Sequence, residues 1–182
     1  MKNKIISQAV QFIIENKITQ FKELIYINEF IQEDLSLLTN KNNGWNALHY
    51  SCFYGGEQMT DNLIKLFNPS EELINGLTND GYSPLHLACI KGHTNIVRSL
   101  LFLKEINVNL NHKKDGTPLH IACKRNDMQI VSILVSFKAS LYVKNSKDQL
   151  PIELTTDENI KKILKKAMIY SIKEDKDSYI NG

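Results

Sequence analysis

The sequence has few of the residues that would suggest a membrane or secreted protein. Its 182 residues include 3 cysteines, 4 prolines, 8 glycines and one tryptophan. No fully apolar run is longer than the LLFL of residues 100–103, whereas a helix needs roughly 20 apolar residues to cross a bilayer. Gln8, Gln11 and Glu15 interrupt the apolar stretch that a secretory signal requires. We therefore expect a soluble protein with no membrane insertion.

An excess of charge of one sign is also missing. The chain has 22 basic and 20 acidic residues, a net charge of +2. A balance of this kind creates no global field that would indicate binding to nucleic acid or to an anionic membrane. Three cysteines without a secretory signal are typical of a reducing compartment. We predict a cytoplasmic protein and leave the nucleus open.

The common signatures of nucleotide and metal enzymes are absent from the sequence. It contains no P-loop, no G-x-G-x-x-G after a strand, no H-E-x-x-H and no C-x-x-C pair. We therefore predict that the protein is not an enzyme, with no catalytic residues, no cofactor and no bound metal.

The sequence does contain an internal repeat. Residues 83–89 read SPLHLAC, and residues 117–123, 34 positions later, read TPLHIAC. A weaker copy, NALHYSC at 46–52, begins 37 positions before the first, and an eroded copy, LPIEL at 150–154, begins 33 positions after the second. Three of the 4 prolines share one position of the repeat. Chance would rarely place them so, and the repeat is therefore real.

Local chemistry predicts two helices in each copy. Ser83 and Thr117 are good N-cap residues, and the proline after each loses only an N–H that the first helical turn leaves unpaired. Gly92 and Asn126 interrupt the apolar pattern before it restarts with helical spacing. The segments between copies are rich in residues that favour turns. Each unit is thus predicted to be a turn followed by two antiparallel helices.

This pattern resembles the ankyrin repeat, with its period of about 33 residues and its T-P-L-H-x-A motif, over roughly residues 40–165. The resemblance implies an all-α repeat solenoid of about four to five stacked units, including degenerate caps. In these units, helix-turn-helix pairs are joined by β-turns or hairpins. The sequence departs from the family at Asp115, where glycine is usual, and at His112 and Asn145, where aspartate is usual.

We predict a single ankyrin-repeat domain over residues 1–166 and a partly disordered tail over residues 167–182. Apolar spacing indicates one helix near residues 5–14 and further helices that include Phe21, Leu24, Ile25 and Ile31. The predicted units are a degenerate N-terminal helical cap repeat at 1–40, full repeats at 41–75, 76–110 and 111–143, and a truncated C-terminal cap repeat at 144–166.

Two columns of side chains recur at fixed positions of the repeat. They are His49, His86 and His120, and Cys52, Cys89 and Cys123. Neighbouring helices pack about 8 to 10 Å apart. Residues of one column are therefore too far apart to share a zinc ion, whose bonds are about 2 Å long. They are also too far apart for disulfides, which need Cα atoms within about 7 Å. Nucleophilic catalysis would also need a base and an oxyanion hole in one cleft. We therefore predict histidines that bond loop backbone and cysteines that are buried.

The resemblance also implies a concave binding face made from hairpin tips and the exposed side of each first helix. Carried over by position, the partner-binding residues on the tips are Asn42, Trp45, Asn79, Tyr82, Lys113, Gly116 and Lys147. Those on the first helices are Phe53, Tyr54, Ile90, Lys91, Lys124 and Arg125. The alternative is that Trp45 and Tyr82 only shield their hairpins and that the lysines are a solvated face.

The function predicted from these residues is that of a non-catalytic interaction module or adaptor for a protein partner. We expect a monomer whose partner presents an apolar anchor near Trp45 and Tyr82 and an acidic stretch near Arg125 and Lys147. One alternative is nucleic-acid binding through the basic half of the face, with affinity falling steeply with salt. Another is that the chain is the ankyrin domain of a larger multidomain protein, although we favour a stand-alone protein.

Overall fold

The computed structural model of the chain describes residues 2–28 and 38–180, and the side chains of residues 4–28 and 38–171. Ile31, which the sequence assigned to an N-terminal helix, lies outside the described residues. The chain divides into two compact units, residues 1–107 and residues 108–182.

The first unit consists of helix pairs joined by turns. Its helices are α1 Lys2–Ile14, α2 Ile18–Ile27, α3 Ala47–Tyr54, α4 Glu57–Phe67, α5 Glu71–Ile74, α6 Pro84–Lys91 and α7 Thr94–Leu101. Helix α1 packs on α2 and α3, α3 packs on α4 and α6, and α4 packs on α7. The pair α1–α2 occupies the segment for which we predicted a degenerate cap repeat, while the boundary at residue 40 stays a prediction.

The helices of the first unit begin and end where the motif predicts. Asn46 and Ser83, both extended, cap α3 and α6 through their side chains, which accept hydrogen bonds from the backbone N–H groups of His49 and His86. Both helices end at a glycine with a left-handed backbone, for example Gly92 with φ +76°. A residue with a Cβ is strained in that conformation. The motif therefore fixes both ends of each first helix.

The longer spacing between the first two motif copies has a structural explanation. The short helix α5, which follows Pro69 and Ser70, lies in this part of the chain. Its carbonyl at Leu73 accepts a hydrogen bond of 2.9 Å from the Asn46 side chain. Asn46, which replaces the Ser or Thr of the other copies, thus caps α3 and also fixes the additional segment.

The core of the first unit is apolar and continuous across the helix pairs. Fully buried side chains come from α1 (Ile13), α2 (Phe21), α3 (Leu48) and α4 (Leu63). The ring of Phe21 meets that of Phe67 edge to face, with centroids 6.4 Å apart. Each such residue stabilises the unit by about 1.5 to 3 kcal/mol through burial.

The second unit contains one full helix pair and one shortened pair. Its helices are α8 Pro118–Lys124, α9 Met128–Ser136, a 3₁₀ helix Pro151–Leu154 and α10 Glu158–Ile180. The two helices of a repeat start 10 residues apart in α8 and α9 (118 and 128) but only 7 apart in the last pair (151 and 158). The loss of three residues explains why a 3₁₀ turn replaces the first helix.

Helix α10 is longer than the sequence predicted. It begins at Glu158, after the Asp157 side chain accepts hydrogen bonds from the backbone N–H groups of Asn159 and Ile160, and it runs to Ile180. We expected the closing helix to end near residue 166 and a partly disordered tail to follow. No proline or glycine occurs between residues 152 and 181, so no residue there stops the helix.

The hairpin tips are tight turns, and the described residues form only isolated bridges instead of strands. One bridge joins Asn40 to Trp45, and another joins His112 to Gly116. Gly81 and Asp148 occupy one position of the repeat and have φ of +91° and +62°. Asp115 occupies that position in the third tip, and there the left-handed residue is Gly116, with φ +78°. The left-handed residue of the third tip is thus one position later than Gly81 and Asp148 are in their tips.

The second helices of two repeats also end differently. Helix α4 ends at Asn68, with φ +39°, and after α9 the left-handed residue is Lys138, with φ +59°. The Lys138 N–H donates to the Val135 carbonyl at 3.0 Å, and the Ala139 N–H donates to the Leu134 carbonyl at 2.9 Å. This is a Schellman ending, whose left-handed position strongly favours glycine. Lysine is strained in this position, and asparagine less so.

Candidate functional site

The motif histidines belong to the framework and bond to loop backbone, as predicted. In the first unit, the Nδ1 atom of His49 accepts a 3.0 Å bond from the Asn46 N–H. Its Nε2–H then donates to the carbonyls of Gly76 and Tyr82, each at 3.0 Å. In the second unit, His120 uses the same two nitrogens toward the Thr117 N–H and the Gln149 carbonyl. Each ring therefore joins the start of its own helix to a later turn.

Burial keeps these histidines neutral. Desolvation lowers the pKa of His49 to about 4, although the bonds to the carbonyls of Tyr82 and Gly76 favour the charged form. Burial also lowers the pKa of His120. Protonation would place the ring's second proton on the Nδ1 atom, which would then no longer accept the N-cap bond. A neutral ring is thus required by the geometry, and both side chains have structural partners.

The motif cysteines are buried, as predicted. Cys52, Cys89 and Cys123 form no disulfide. Burial raises the pKa of the Cys52 thiol well above its ordinary value and that of Cys123 to about 12. The thiolate is the reactive form of cysteine, and a raised pKa disfavours it. Cys52 and Cys123 therefore pack as small apolar groups.

The described residues contain neither a metal-binding cluster nor a membrane-spanning helix. Within residues 4–28 and 38–171, no three His, Cys, Asp or Glu side chains converge as a metal site requires. In the same part of the chain, no helix combines the length and the apolar character needed to span a bilayer.

The first unit brings three of its predicted binding residues into one aromatic row, defined here as Trp45, Phe53 and Tyr54. The ring centroids of Trp45 and Phe53 are 5.1 Å apart, and those of Phe53 and Tyr54 are 5.2 Å apart, both edge to face. Trp45 also packs on the buried Tyr50 at 5.2 Å. Both the tip and the end of α3 thus contribute rings to a continuous apolar surface.

The aromatic row is partly exposed and carries a positive charge. Trp45 and Phe53 are half-buried, whereas 52% of Tyr54 is exposed. The ammonium group of Lys91, at the end of α6, lies 3.9 Å from the centroid of the Phe53 ring. A cation in this position is attracted to the ring face. Residues from two repeats therefore combine at the row.

Other predicted residues of the first unit have different surroundings. Tyr82 is half-buried against His86, with ring centroids 6.3 Å apart, and Ile90 is half-buried. Asn42 and Asn79 are exposed, but the Asn79 side chain donates to the Asn42 carbonyl at 2.9 Å. The Asn79 side chain therefore links one tip to the next through one of its two amide N–H groups.

The predicted residues of the second unit are mostly exposed and basic. Lys113, Lys124, Arg125 and Lys147 are exposed. The exception is Gly116, which is buried and forms the bridge of its turn with His112. Gly116 thus shapes the tip and presents no side chain, and its role in binding stays a prediction.

A small cavity of about 80 Å³ joins several of these residues in the second unit. Three lysines, one carboxylate, two amides and one apolar residue line it: Lys114, Lys124, Lys147, Asp115, Asn145, Gln149 and Leu154. Lys124 Nζ lies 3.3 Å from Asp115 Oδ1. The structure thus brings the predicted Lys124 and Lys147 together, whereas Lys113 and Arg125 are not part of this lining.

Sequence reasoning missed Lys114. Lys113 lies four residues before its motif copy, as Asn79 does, whereas Lys147 lies three residues before its own copy and so corresponds to Lys114. The sequence did contain a relevant signal, because Lys114 and Lys147 share one position of the repeat. Both line the cavity.

Comparison with known families agrees with this architecture. The profile "Ankyrin repeats (3 copies)" matches residues 6–112, and the profile "Ankyrin repeat" matches residues 114–146. The chain therefore belongs to the ankyrin-repeat family, and the predicted fold class, an all-α repeat solenoid, is confirmed. The match begins inside α1, so the first helix pair counts within the repeats.

Several proteins of known name are similar to this chain. It is 31% identical over 135 residues, 72% of its length, to the target of rapamycin complex 2 subunit AVO2 of Saccharomyces cerevisiae. It is 33% identical over 106 residues, 56% of its length, to the putative ankyrin repeat protein YahD of Escherichia coli. These alignments cover 31% and 53% of the two relatives. The chain thus spans about a third of the yeast relative and about half of the bacterial one.

A third relative is of a different kind. The chain is 33% identical over 124 residues, 66% of its length, to the SMC5-SMC6 complex localization factor protein 1 of Bos taurus, of which the alignment covers 11%. Two of these three names refer to protein complexes, and those complexes are properties of the relatives.

Proposed function

We propose that this chain is a non-catalytic protein-binding module that recognises its partner through the hairpin tips and first helices of its repeats. The observation that carries the proposal is the aromatic row. About half of the Tyr54 side chain is exposed there, and the charge of Lys91 lies over the Phe53 ring. Aromatic side chains with a rigid buried base and an exposed edge are typical hot spots of interfaces.

The row is held in place before any partner arrives. Trp45 packs against Tyr50 and Phe53, and the ring of Phe53 is fixed between Trp45 and Tyr54. A side chain that is already ordered loses little conformational entropy when it is covered. The apolar anchor that we expect on the partner therefore meets a preformed surface.

The charges of the second unit favour a protein partner with an acidic stretch over nucleic acid. Three of its lysines are engaged by neighbouring carboxylates: Lys124 by Asp115 at 3.3 Å, Lys144 by Asp148 at 2.8 Å and Lys161 by Glu158 at 2.8 Å. The phosphates of a nucleic acid are regularly spaced, so some of them would lie near these carboxylates and be repelled. A polypeptide can place its acidic side chains beside individual lysines. The names of the yeast and bovine relatives also support a role in protein assemblies.

Partner capture with matched variants tests the proposal. Tyr54→Ala removes an exposed ring from the row, and Leu66→Ala removes a side chain that is also 52% exposed but lies on α4. Both variants, and the wild type, are first shown by circular dichroism to unfold at similar temperatures. They are then used as baits in extracts of the cells that express the protein, and captured proteins are identified by mass spectrometry.

We expect a partner that the wild type and Leu66→Ala retain and that Tyr54→Ala loses. Adding Lys91→Glu to Tyr54→Ala should leave no residual capture, because the charge beside Phe53 is reversed. A partner that all baits retain would show that binding uses another surface. Equal loss from Leu66→Ala would contradict the proposal as well.

A further inference from the structure

We propose that the cavity between the third and fourth tips binds the carboxylate of one acidic side chain of a partner polypeptide. This proposal rests on the proposed function and names the chemistry of one contact. The lining of three lysines against one aspartate leaves an excess of positive charge. An anion is therefore the ligand that complements it.

Two of the three lysines have no ion-pair partner within the described part of the chain. Among the residues whose side chains are described, neither Lys114 nor Lys147 takes part in an ion pair, whereas Lys124 is engaged by Asp115. The aspartate also lies 3.7 Å from His112 Nδ1. Lys114 and Lys147 are thus the ammonium groups that an incoming carboxylate would meet.

The size of the cavity favours a single side chain of a larger partner. Its volume is about 80 Å³, whereas sites for small molecules usually enclose about 300 to 1,000 Å³. A free metabolite would leave most of its surface in water. A carboxylate attached to a docked polypeptide needs only this local space, because the rest of the interface supplies the remaining affinity.

The hydrogen bonds around the cavity favour a carboxylate over a phosphate group. The N–H groups of Lys114 and Asp115 already donate to His112 Nδ1, and those of Lys147 and Gln149 already donate to Asn145 Oδ1. No arginine lines the cavity. Phosphate sites usually combine backbone N–H groups or arginine forks around three oxygens. Lysine ammoniums alone can satisfy the two oxygens of a carboxylate.

The cavity also has one apolar wall. Leu154, at the end of the 3₁₀ helix, is half-buried and lines it. The methylene groups of a glutamate can pack on this side chain while its carboxylate reaches the lysines. A change at the Leu154 methyl groups therefore reports occupation of the cavity.

Titration with three capped, fluorescein-labelled peptides tests this assignment on the full chain at low ionic strength. Glycine alternates with glutamate in the first, with phosphoserine in the second and with glutamine in the third. Binding is followed by fluorescence anisotropy, and the Leu154 methyl resonances are followed by NMR. We expect saturable binding of the glutamate peptide with a shift at Leu154, and no binding of the glutamine peptide.

Neighbouring lysines provide a matched control. Lys114 lines the cavity and Lys113 does not, so Lys114→Gln and Lys113→Gln remove the same charge one residue apart. We expect Lys114→Gln to weaken glutamate-peptide binding about fivefold or more and Lys113→Gln to weaken it less than about twofold. Asp115→Asn should tighten binding by about two- to threefold, because it removes the repulsive carboxylate.

Three results would overturn the assignment. Equal weakening by Lys113→Gln and Lys114→Gln would mean diffuse attraction to a basic surface. Tighter, Lys114-dependent binding of the phosphoserine peptide would mean a phosphate site. Absence of glutamate-peptide binding would mean that the cavity takes no acidic side chain. None of these results involves Tyr54, so partner capture through the aromatic row would stand or fall separately.

Discussion

The two units use the same repeat framework but present different chemistry on their tips and first helices. In the first unit, Trp45, Phe53 and Tyr54 form a row of rings in contact. In the second unit, lysines line a small cavity. The histidine bonds beneath are alike in both units. The comparison indicates that the buried polar groups belong to the shared framework, whereas the residues above them differ in chemistry between the units.

The largest effect should come from removing the framework itself. His49→Ala leaves the Gly76 carbonyl and the Asn46 N–H without the ring as partner, and it removes one of the two bonds to the Tyr82 carbonyl, which still accepts from the Thr78 N–H. We expect a loss of about 3 to 4 kcal/mol of unfolding free energy. His120 bonds one carbonyl, that of Gln149, so His120→Ala should cost about 2 kcal/mol. Urea unfolding followed by circular dichroism measures both. A larger loss of unfolding free energy from His120→Ala than from His49→Ala would contradict this prediction.

Acid should weaken the framework nearly as much. The pKa of His49 is about 4 in the folded protein and about 6.5 in the unfolded chain. The unfolded state therefore binds more protons below pH 6.5, and stability present above that pH is lost as pH falls toward 4. The expected loss at pH 4 is about 3 kcal/mol. His49→Gln should flatten the pH dependence of the melting temperature over this window, and an unchanged slope would contradict this account.

Single substitutions in the aromatic row should reduce the binding free energy more than single substitutions among the basic residues of the second unit. Trp45→Ala should weaken affinity for a captured partner by about 2 kcal/mol, because it removes the ring on which Phe53 packs. Arg125→Ala, on an exposed side chain of the second unit, should cost about 0.2 to 1 kcal/mol. Calorimetric titration measures both, with Trp45→Phe as the variant that keeps a ring. Equal effects would mean that the row is not the anchor.

The smallest effects concern the ends of two second helices. Lys138→Gly should stabilise the protein by about 1 kcal/mol, because glycine adopts φ +59° without strain. Asn68→Gly should gain only a few tenths of a kcal/mol, because asparagine already tolerates the left-handed region. Melting temperatures measured side by side decide this. No gain at Lys138 would indicate that the lysine makes a compensating interaction.

The features that the sequence predicted correctly depend on local chemistry. Ser83 and Pro84 specify a helix start, and the fixed spacing of His49 and His120 predicted that their rings bond backbone. These interactions involve residues close in sequence or one repeat apart. A repeat pattern therefore contains enough information to place them.

The features that the sequence did not predict depend on three-dimensional packing or on a single altered turn. The cavity near Lys114 depends on how the third and fourth tips pack. The left-handed residue of the third tip is Gly116 and not Asp115, which the repeat pattern did not predict. The contact of Lys91 with Phe53 joins different repeats, and the spacing gives no information on side-chain direction. The length of α10 depended on the absence of helix-breaking residues after Pro151, to which the repeat pattern gave no weight.

The reach of the histidine bonds has a consequence for how the chain is made. The His49 ring bonds to carbonyls 27 and 33 residues later in the chain, and the His120 ring bonds to a carbonyl 29 residues later. On a ribosome, each of these helices emerges well before the turn that it needs. Until that turn leaves the exit tunnel, the ring and its N-cap remain solvated. Assembly of these repeats during synthesis should therefore advance in steps of about thirty residues, with each new turn locking the repeat before it.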